Sequence, residues 1–349
     1  MAPVRRIKLS DVARRAGVSP ATVSRAISQP DLLSTSTLKR VQAAAQALGY
    51  VPDAAARALA SGRSMTIGAV VPTLDSTIFA RFLQSTQSTL ARDGYQLLVA
   101  SHEMNPAAEL EAVRTLLSRG VDGLILVGAD RPRATLTILR SSKTPTVLTW
   151  CGAPEFASVT VDNEGAGYLA ARHLIDLGHE RIGVIVGKLA FNDRQRARLA
   201  GARRALRETG RDIPDWRVSE QDLTLAGGRL GCAALLQLDD MPTAIIGAID
   251  LFAIGCLQET QARGVTVPSD FSIVGIDDLD MSAYLTPSLT TVRIPTGRIG
   301  ESAAATVVGL LESQWEPTHL DLPIELVVRQ STAGPTGRGR MSRQRRSRR

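Results

Sequence analysis

The 349-residue sequence contains few of the residues that carry covalent or metal chemistry. Its three cysteines, Cys151, Cys232 and Cys256, are spaced too widely for a disulfide framework or a zinc site. No apolar run reaches the ~20 residues that a bilayer-spanning helix needs. The basic N-terminus is not followed by the apolar stretch of a signal peptide. These absences predict a cytoplasmic protein whose thiols are reduced.

Motifs of common enzyme classes are also missing. Residues 183–188 (GVIVGK) have one residue too few between the glycines for a phosphate-binding loop, and Leu189 lacks the hydroxyl that would bind magnesium. The histidines show no metal-binding spacing, and His179 is predicted to be structural. Asp277 and Asp278 are a candidate carboxylate pair, but adjacent residues of an extended chain point in opposite directions. The sequence therefore predicts no catalytic site, no metal site and no cofactor.

Acidic residues are scarce at both ends of the chain. Residues 1–63 contain ten Lys or Arg and three Asp, and residues 338–349 contain seven Arg and no acid, so each segment carries +7. Because the whole chain also carries +7, the residues between these segments carry a net −7. A basic head on an acidic body predicts that the head meets a polyanion. Phosphate contacts supply affinity but do not discriminate between sequences.

The head itself, residues 1–51, has the pattern of two short helices joined by a tight turn. Ser10 is the predicted N-cap of the first helix, and Gly17 suits its left-handed end. Ser19 and Pro20 begin a second helix. Two helices so joined form a helix-turn-helix, whose second helix enters the major groove N-terminus first. A third helix is predicted from residue 36 to residue 48, and the head is predicted to bind double-stranded DNA.

This geometry places Pro20, Ala21 and Thr22 nearest the base edges. Arg25 either binds a guanine through two hydrogen bonds or contacts a phosphate, and the sequence leaves both open. The full set of predicted DNA contacts comes from the head and from the segment after it: Ser10, Pro20, Ala21, Thr22, Ser24, Arg25, Ser34, Tyr50, Ala56, Arg57 and Leu59.

Residues 52–63 are predicted to be a hinge. Residues 53–60 are Ala-rich and make only about two helical turns, a length that is marginal in water. We expect this segment to become helical against DNA and a partner copy. Leu59 is then placed to insert between base pairs in the minor groove.

The head and hinge carry a set of recognisable motifs, at residues 9–13 (LSDVA), 17–25 (GVSPATVSR), 49–52 (GYVP) and 56–59 (ARAL). Through these motifs, residues 8–63 resemble the DNA-binding segment of the lactose-repressor (LacI/GalR) family. The resemblance implies a homodimer on a near-palindromic operator. Asp53 stands where the family usually has Asn, which keeps a helix cap but places a negative charge near DNA.

Residues 64–333 alternate apolar, strand-like runs with amphipathic helical segments. Such alternation predicts α/β lobes with parallel sheets covered by helices, with ligands bound in the cleft outside the carboxyl ends of the strands. The lobe boundaries are expected near residues 64–162 plus 290–321 and residues 163–289 plus 322–333. The Gly-, Ser- and Arg-rich tail, residues 334–349, is predicted to be disordered.

The core also carries motifs, at residues 122–125 (DGLI), 161–163 (VDN), 177–179 (LGH), 198–201 (RLAG), 274–278 (VGIDD) and 289–292 (LTTV). These resemble the periplasmic-binding-protein-like effector domain of the same family. The resemblance implies that Phe79, Arg198 and Asp277 line the effector cleft, a set suited to a sugar. The alternatives are a core position for Phe79, an interlobe ion pair for Arg198 and a loop cap for Asp277.

Two departures from the family pattern bear on the effector. Ile249 and Asp250 stand where Asn-Asp is frequent, and Trp150 replaces a frequent carboxylate. We include Asp250 and Trp150 in the predicted effector site. The effector is expected to differ from the commonest sugars and to be more apolar, or phosphorylated.

The sequence as a whole predicts a transcriptional repressor whose operator affinity is controlled by a small molecule, with a sugar favoured. Two other classes were weighed. An α/β enzyme acting on sugars or nucleotides lacks a recognisable nucleophile, metal set or phosphate loop. A periplasmic sugar carrier is disfavoured by the basic head and by the missing signal peptide.

Overall fold

The computed structural model describes residues 7–51, 58, 61–312 and 318–335. The chain divides into two compact units, Met1–Met65 and Thr66–Arg349. Most of the predicted hinge, including Ala56, Arg57 and Leu59, lies outside the described residues, as does the tail from residue 336 onward.

The first unit is the helical head. Its elements are α1 (Leu9–Ala16), α2 (Pro20–Ser28), a 3-10 turn (Pro30–Leu32) and α3 (Thr35–Leu48). They enclose a small core in which three of the six buried side chains are alanine: Val12, Ala13, Ala16, Val23, Val41 and Ala44. A core of this size leaves the head dependent on local features such as helix caps.

The turn between α1 and α2 has the predicted form. Gly17 ends α1 with φ 63°, in the left-handed region. Ser19 caps α2, because its Oγ accepts a hydrogen bond from the Thr22 N–H at 3.1 Å. Pro20 occupies the first helical position, where no N–H is needed.

Two predicted helix starts in the head are wrong by a residue or more. Ser10 lies inside α1, which begins at Leu9, because the Lys8 N–H donates to Asp11 Oδ2 at 3.0 Å and this carboxylate closes the first turn. The third helix begins at Thr35 rather than at residue 36, since Ser34 is its cap.

The second unit contains two six-stranded sheets. Strands of the first sheet lie in the order β11-β5-β4-β3-β1-β2, all parallel. The first lobe comprises β1 (Thr66–Val71), α4 (Thr77–Arg92), β2 (Gln96–Ser101), α5 (Pro106–Ser118), β3 (Gly123–Val127), α6 (Arg133–Ser142), β4 (Thr146–Trp150), β5 (Ala157–Val161), α11 (Thr296–Glu312) and β11 (His319–Leu322).

The second sheet has the order β12-β10-β9-β8-β6-β7 and is parallel except for the β10–β12 pair. Its lobe comprises α7 (Asn163–Asp176), β6 (Ile182–Gly187), α8 (Asp193–Arg207), β7 (Val218–Gln221), α9 (Leu225–Leu235), β8 (Ala244–Gly247), α10 (Asp250–Ala262), β9 (Ser272–Asp277), β10 (Thr290–Arg293) and β12 (Glu325–Val327), with 3-10 turns at Asp215–Arg217 and Asp280–Ala283.

One predicted lobe boundary is corrected by the strand pairing. The segment 290–293 was expected in the first lobe, but Thr290 pairs with Val274 of β9 and so belongs to the second sheet. The chain returns to the first lobe with α11, which packs on α4. The apolar pattern of a strand does not indicate which sheet the strand joins. For this reason the return of the chain to the first lobe was predicted too early, at residue 290.

Candidate effector cleft and DNA-binding surface

A cleft of about 620 Å³, partly open to solvent, lies outside the carboxyl ends of strands from both sheets. Its walls come from the loop after β1 and the start of α4 in the first lobe, and from the loops after β6, β8 and β9 in the second. Four of the five predicted effector residues line it: Phe79, Trp150, Arg198 and Asp277.

The aromatic wall of the cleft is fixed by edge-to-face packing. Trp150 is 2% exposed, and its ring lies 5.8 Å from that of Phe79 and 5.0 Å from that of Phe82. Its backbone carbonyl accepts a hydrogen bond from Asn163 Nδ2 at 3.0 Å. Such aromatic contacts add stability beyond the burial of their surface. The wall is therefore held in place by contacts within the protein.

Arg198 and Asp277 form a buried ion pair at the base of the cleft. Arg198 Nη1 lies 3.2 Å from Asp277 Oδ1 and donates to the Ala248 carbonyl at 2.6 Å, and Nε donates to Asn163 Oδ1 at 3.1 Å. Burial raises the pKa of Asp277 to about 7, against the opposing effect of the Arg198 charge. Both residues belong to the second lobe, so this pair is not the interlobe contact that was one alternative for Arg198.

Asn192 is a cleft residue that sequence reasoning missed. It is 1% exposed, and its Oδ1 caps α8 by accepting the Gln195 N–H. Its Nδ2 donor is buried and has no hydrogen-bond partner within the described parts of the chain. Because buried polar groups are nearly always paired, this donor marks a place for a ligand acceptor. The sequence signals only a helix cap here, since loop residues follow no periodic pattern.

The prediction for Asp250 is wrong. Its side chain is fully buried and accepts hydrogen bonds from the Leu279 N–H at 2.8 Å, Ser282 Oγ at 2.6 Å and Thr291 Oγ1 at 2.5 Å. Burial raises its pKa, an effect that these hydrogen bonds oppose. Asp250 thus ties α10 to the segments around β9 and β10, while its neighbours Ile249 and Leu251 line the cleft.

Asp277 and Asp278 have different partners in the structure, although both have positive φ rather than the extended backbone that was expected. Asp277 pairs with Arg198, whereas Asp278 accepts hydrogen bonds from Arg293 Nε at 2.7 Å and Arg329 Nη2 at 2.6 Å. The two carboxylates therefore serve different partners. The described segments contain no cluster of three or more His, Cys, Asp or Glu side chains that could hold a metal ion.

His179 has the structural role that was predicted. It is 3% exposed, and its ring nitrogens bond to Thr243 Oγ1 at 2.9 Å, Ser272 Oγ at 3.0 Å and the Ala333 carbonyl at 2.9 Å. These contacts tie the turn before β6 to the end of the described core.

The DNA-binding residues predicted in the head lie mostly at its surface. Ser10, Pro20, Ala21, Ser24, Arg25 and Ser34 are exposed. Thr22 is half-buried, and its hydroxyl is hydrogen-bonded to Ser19 Oγ at 2.9 Å. Tyr50 packs against the head core, so its ring supports the head from inside. Their contacts with DNA remain predictions.

Comparisons with known proteins identify the family to which this chain belongs. Residues 8–53 match the model for bacterial regulatory proteins of the lacI family, and residues 171–332 match a periplasmic binding protein-like domain. Catabolite control protein A of Priestia megaterium is 32% identical over 93% of this chain and 99% of its own length. The chain belongs to the LacI family. It is a DNA-binding transcriptional regulator with an effector-binding core.

Further relatives agree with this assignment. The HTH-type transcriptional repressor CytR of Escherichia coli strain K12 is 32% identical, over 93% of this chain and 96% of its own. The structure of the lac repressor dimer bound to operator and the anti-inducer ONPF gives a TM-score of 0.84 at 27% identity, over 94% of this chain and all of that one. A complex of the regulator CelR with cellobiose gives 0.70 at 30% identity, over 93% of this chain and all of CelR.

Among the described helices of this LacI-family chain, none is both long and apolar enough to span a bilayer.

Proposed function

We propose that this LacI-family regulator acts as a homodimer that binds a near-palindromic operator through its two heads and represses transcription, at the chromosome in the cytoplasm. A small molecule in the cleft controls operator affinity, and the protein catalyses no reaction. The observation that carries the proposal is the cleft. Its lining includes a buried Asn192 donor that has no partner among the described residues, together with an aromatic wall and a buried ion pair. The relatives and structural neighbours that bind operator support the DNA partner.

The effector that the cleft fits best is a neutral polyhydroxy compound of the sugar class. Both guanidinium groups in the cleft already have carboxylate partners, since Arg194 lies 3.1 Å from Asp193 and Arg198 lies 3.2 Å from Asp277. A phosphorylated effector would have to displace these partners, whereas hydroxyl groups can bond to them. Phe79, the more exposed ring of the aromatic wall, offers an apolar contact to sugar C–H groups. The structural neighbour CelR was solved with cellobiose.

An effector in the cleft can act on contacts that join the two lobes of the core. Asp193 of the second lobe accepts hydrogen bonds from the N–H groups of Ala129 and Asp130 in the first, at 2.6 Å and 3.1 Å. Arg196 adds an ion pair with Asp130 at 2.6 Å. Because these contacts lie beside the cleft, an effector that shifts the lobes changes them. Such coupling is reciprocal, so operator must alter effector affinity by the same factor.

The test uses an inverted repeat taken from the DNA flanking the gene. Fluorescence anisotropy would measure operator affinity alone and with a panel of neutral sugars, sugar phosphates and nucleosides. We expect a neutral sugar to change operator affinity at least tenfold. Arg198→Lys keeps a cation beside Asp277 and should bind operator normally but lose most of this response. The proposal fails if no compound in the panel alters operator affinity, or if Arg198→Lys responds as the unmodified chain does.

A further inference from the structure

A second cavity, of about 350 Å³, lies beside the effector cleft. Loops that follow β2 and β3 form its walls, together with the loop that precedes α8. Arg194 lines both cavities, while Asn192 lines the cleft and the neighbouring Phe191 lines the second cavity. The two spaces are therefore adjacent, with one guanidinium between them. We call the second space the side pocket.

An aromatic ring stands at the side pocket. Phe191 is 50% exposed and has φ 52°, in the left-handed region that side chains with a Cβ rarely adopt. Because half of the Phe191 ring stays in water, its burial contributes little to the stability of the fold. Its left-handed backbone conformation costs some of that stability. Met104, Pro106 and Pro132 supply further apolar wall. Aromatic and apolar faces of this kind pack against the C–H groups of a sugar ring.

Buried polar groups adjoin this apolar wall. Glu109 lines the side pocket, is 5% exposed and accepts a hydrogen bond from Arg131 Nε at 3.3 Å. Arg131 Nη1 and His102 Nδ1 are buried and lack a hydrogen-bond partner among the residues that the structure describes. Burial and the charges of Arg194 and Arg131 lower the pKa of His102 to about 4, so its ring is neutral at pH 7. Unpaired buried atoms of this kind indicate a bound polar group.

Charges around the side pocket are already paired within the protein. Glu109 pairs with Arg131, Asp130 with Arg196, and Arg194 with Asp193. A charged ligand would have to disrupt one of these pairs, while a neutral hydroxyl-bearing group can accept from the cations and donate to the carboxylates.

We propose that the side pocket holds the second unit of an effector that has at least two neutral sugar units, with the first unit in the cleft and Arg194 between them. This inference rests on the proposed function, because it extends the same site. The proposed effector is an oligosaccharide, of which a disaccharide is the smallest member. Stacking on Phe191 and hydrogen bonding near Glu109 then distinguish such an effector from its component monosaccharides.

Titration calorimetry on the full chain tests this with monosaccharides and with disaccharides built from them. The monosaccharides are glucose, galactose, mannose, xylose and fructose. The disaccharides are cellobiose, maltose, lactose, xylobiose, mannobiose, sucrose, trehalose and melibiose. We expect at least one disaccharide to bind ten times or more tightly than either of its components. If no disaccharide has this advantage, or none binds, the inference is overturned.

Two variants locate the advantage in the side pocket. Phe191→Ala removes the ring, and Met104→Trp fills the space, so both should bring the affinity ratio of disaccharide to monosaccharide close to one. Trp216→Ala is the matched control, because Trp216 is also an exposed aromatic residue (51%) and lines neither cavity. It should leave the ratio unchanged. A ratio that survives both Phe191→Ala and Met104→Trp overturns the inference.

Failure of the inference is distinguishable from failure of the proposed function. If Arg198→Lys abolishes a response to a monosaccharide and the side-pocket variants change nothing, the cleft is the effector site and the side pocket is not part of it. If only a nucleoside or a sugar phosphate acts through Arg198, the inference falls together with the neutral sugar class, while effector control through the cleft stands.

Discussion

The head and the core present their functional residues in opposite ways. In the head, the residues predicted to contact DNA, such as Ser24 and Arg25, are exposed and lie outside the buried core. In the core, Arg198 and Asp277 are 4% and 7% exposed and are bonded to each other and to the backbone. Binding and stability are therefore expected to be separable in the head, whereas in the cleft the residues proposed to bind the effector also stabilise the core.

The two proposed ligand classes would account for this difference. A polyanion is met at a surface, where exposed cations exchange counterions for phosphates and polar side chains reach base edges. A small neutral molecule offers few contacts, so it is bound by groups that burial and hydrogen bonds have already fixed in place. Burial makes the stability of the fold depend on those groups. If one partner of a buried ion pair is removed, the other charge is left in the interior without compensation.

The largest expected effect is the loss of stability in Arg198→Ala. This change leaves Asp277 buried beside no cation, and breaking a buried pair typically costs ~3–5 kcal/mol. Urea unfolding of the core at pH 8 would measure it. Arg204→Ala, on the same helix, is the control, because Arg204 pairs with Glu164 at 3.0 Å while 53% exposed, and should cost less than ~1 kcal/mol.

The same experiment at lower pH sharpens the prediction. Asp277 has a folded-state pKa of about 7, above its ordinary value of 3.8, so it can be neutral at pH 5. The loss in Arg198→Ala should then be smaller at pH 5 than at pH 8. Equal losses in Arg198→Ala and Arg204→Ala at pH 8 would show that the buried pair does not set the stability of the cleft.

Sequence patterns predicted the parts of the molecule that depend on local chemistry. Pro20 after a capping serine and Gly17 at a left-handed position are local signals, and both were confirmed. The assignment of Asp250 failed because two partners of its carboxylate, Ser282 and Thr291, lie more than thirty residues away in sequence. Asn192 was missed for a related reason, since only the fold shows that its donor is buried and lacks a partner in the part of the chain that the structure describes.

Removal of an arginine from the head should weaken DNA binding without lowering stability, whereas removal of Arg198 from the cleft should lower stability. Arg25→Ala is expected to weaken operator binding by ~1–3 kcal/mol if the side chain contacts a guanine. The melting temperature of the head should not change, because Arg25 is exposed. Anisotropy titrations with operator and with random duplex would measure the ratio of specific to non-specific affinity.

Arg14→Ala is the matched control for charge. Arg14 is 76% exposed on α1 and pairs with Asp11 at 3.6 Å. Its removal should weaken binding to operator and random duplex alike, leaving the ratio unchanged. If Arg25→Ala also leaves the ratio unchanged, Arg25 contacts a phosphate rather than a base.

Effector affinity should depend on pH through Asp277. Burial holds the pKa of this carboxyl at about 7, with Arg198 opposing and the Asp250 charge adding to the rise. For this group alone, the native state binds more protons than the unfolded chain between pH 4 and 7, so its contribution to stability falls as pH rises through that window. A hydroxyl that donates to Asp277 bonds more strongly to the ionised carboxylate than to the neutral acid.

Affinity should therefore rise by up to about tenfold from pH 6 to pH 8, because the ionised fraction of a carboxyl with a pKa of about 7 rises about tenfold over this range. Calorimetric titration across this range with the most tightly bound sugar of the panel would measure it. Asp277→Asn cannot ionise and should give a flat profile. A profile in the unmodified chain that is equally flat would mean that the effector does not bond to this carboxylate.

The smallest expected effect is on the stability of the head. Its small core implies that helix caps contribute much of that stability. Ser19 Oγ accepts the Thr22 N–H at 3.1 Å, and removal of such a cap costs ~1 kcal/mol. Ser19→Ala should therefore lower the stability of the head alone, measured from NMR signals of residues 7–51 during thermal unfolding. Signals of the core in the same sample are the internal reference and should not move.

Ser34→Ala is the matched variant, because Ser34 caps α3 through a longer bond of 3.4 Å to the Thr37 N–H and should cost less. Should Ser19→Ala shift the core as much as the head, the two units unfold together and their stabilities are not separable.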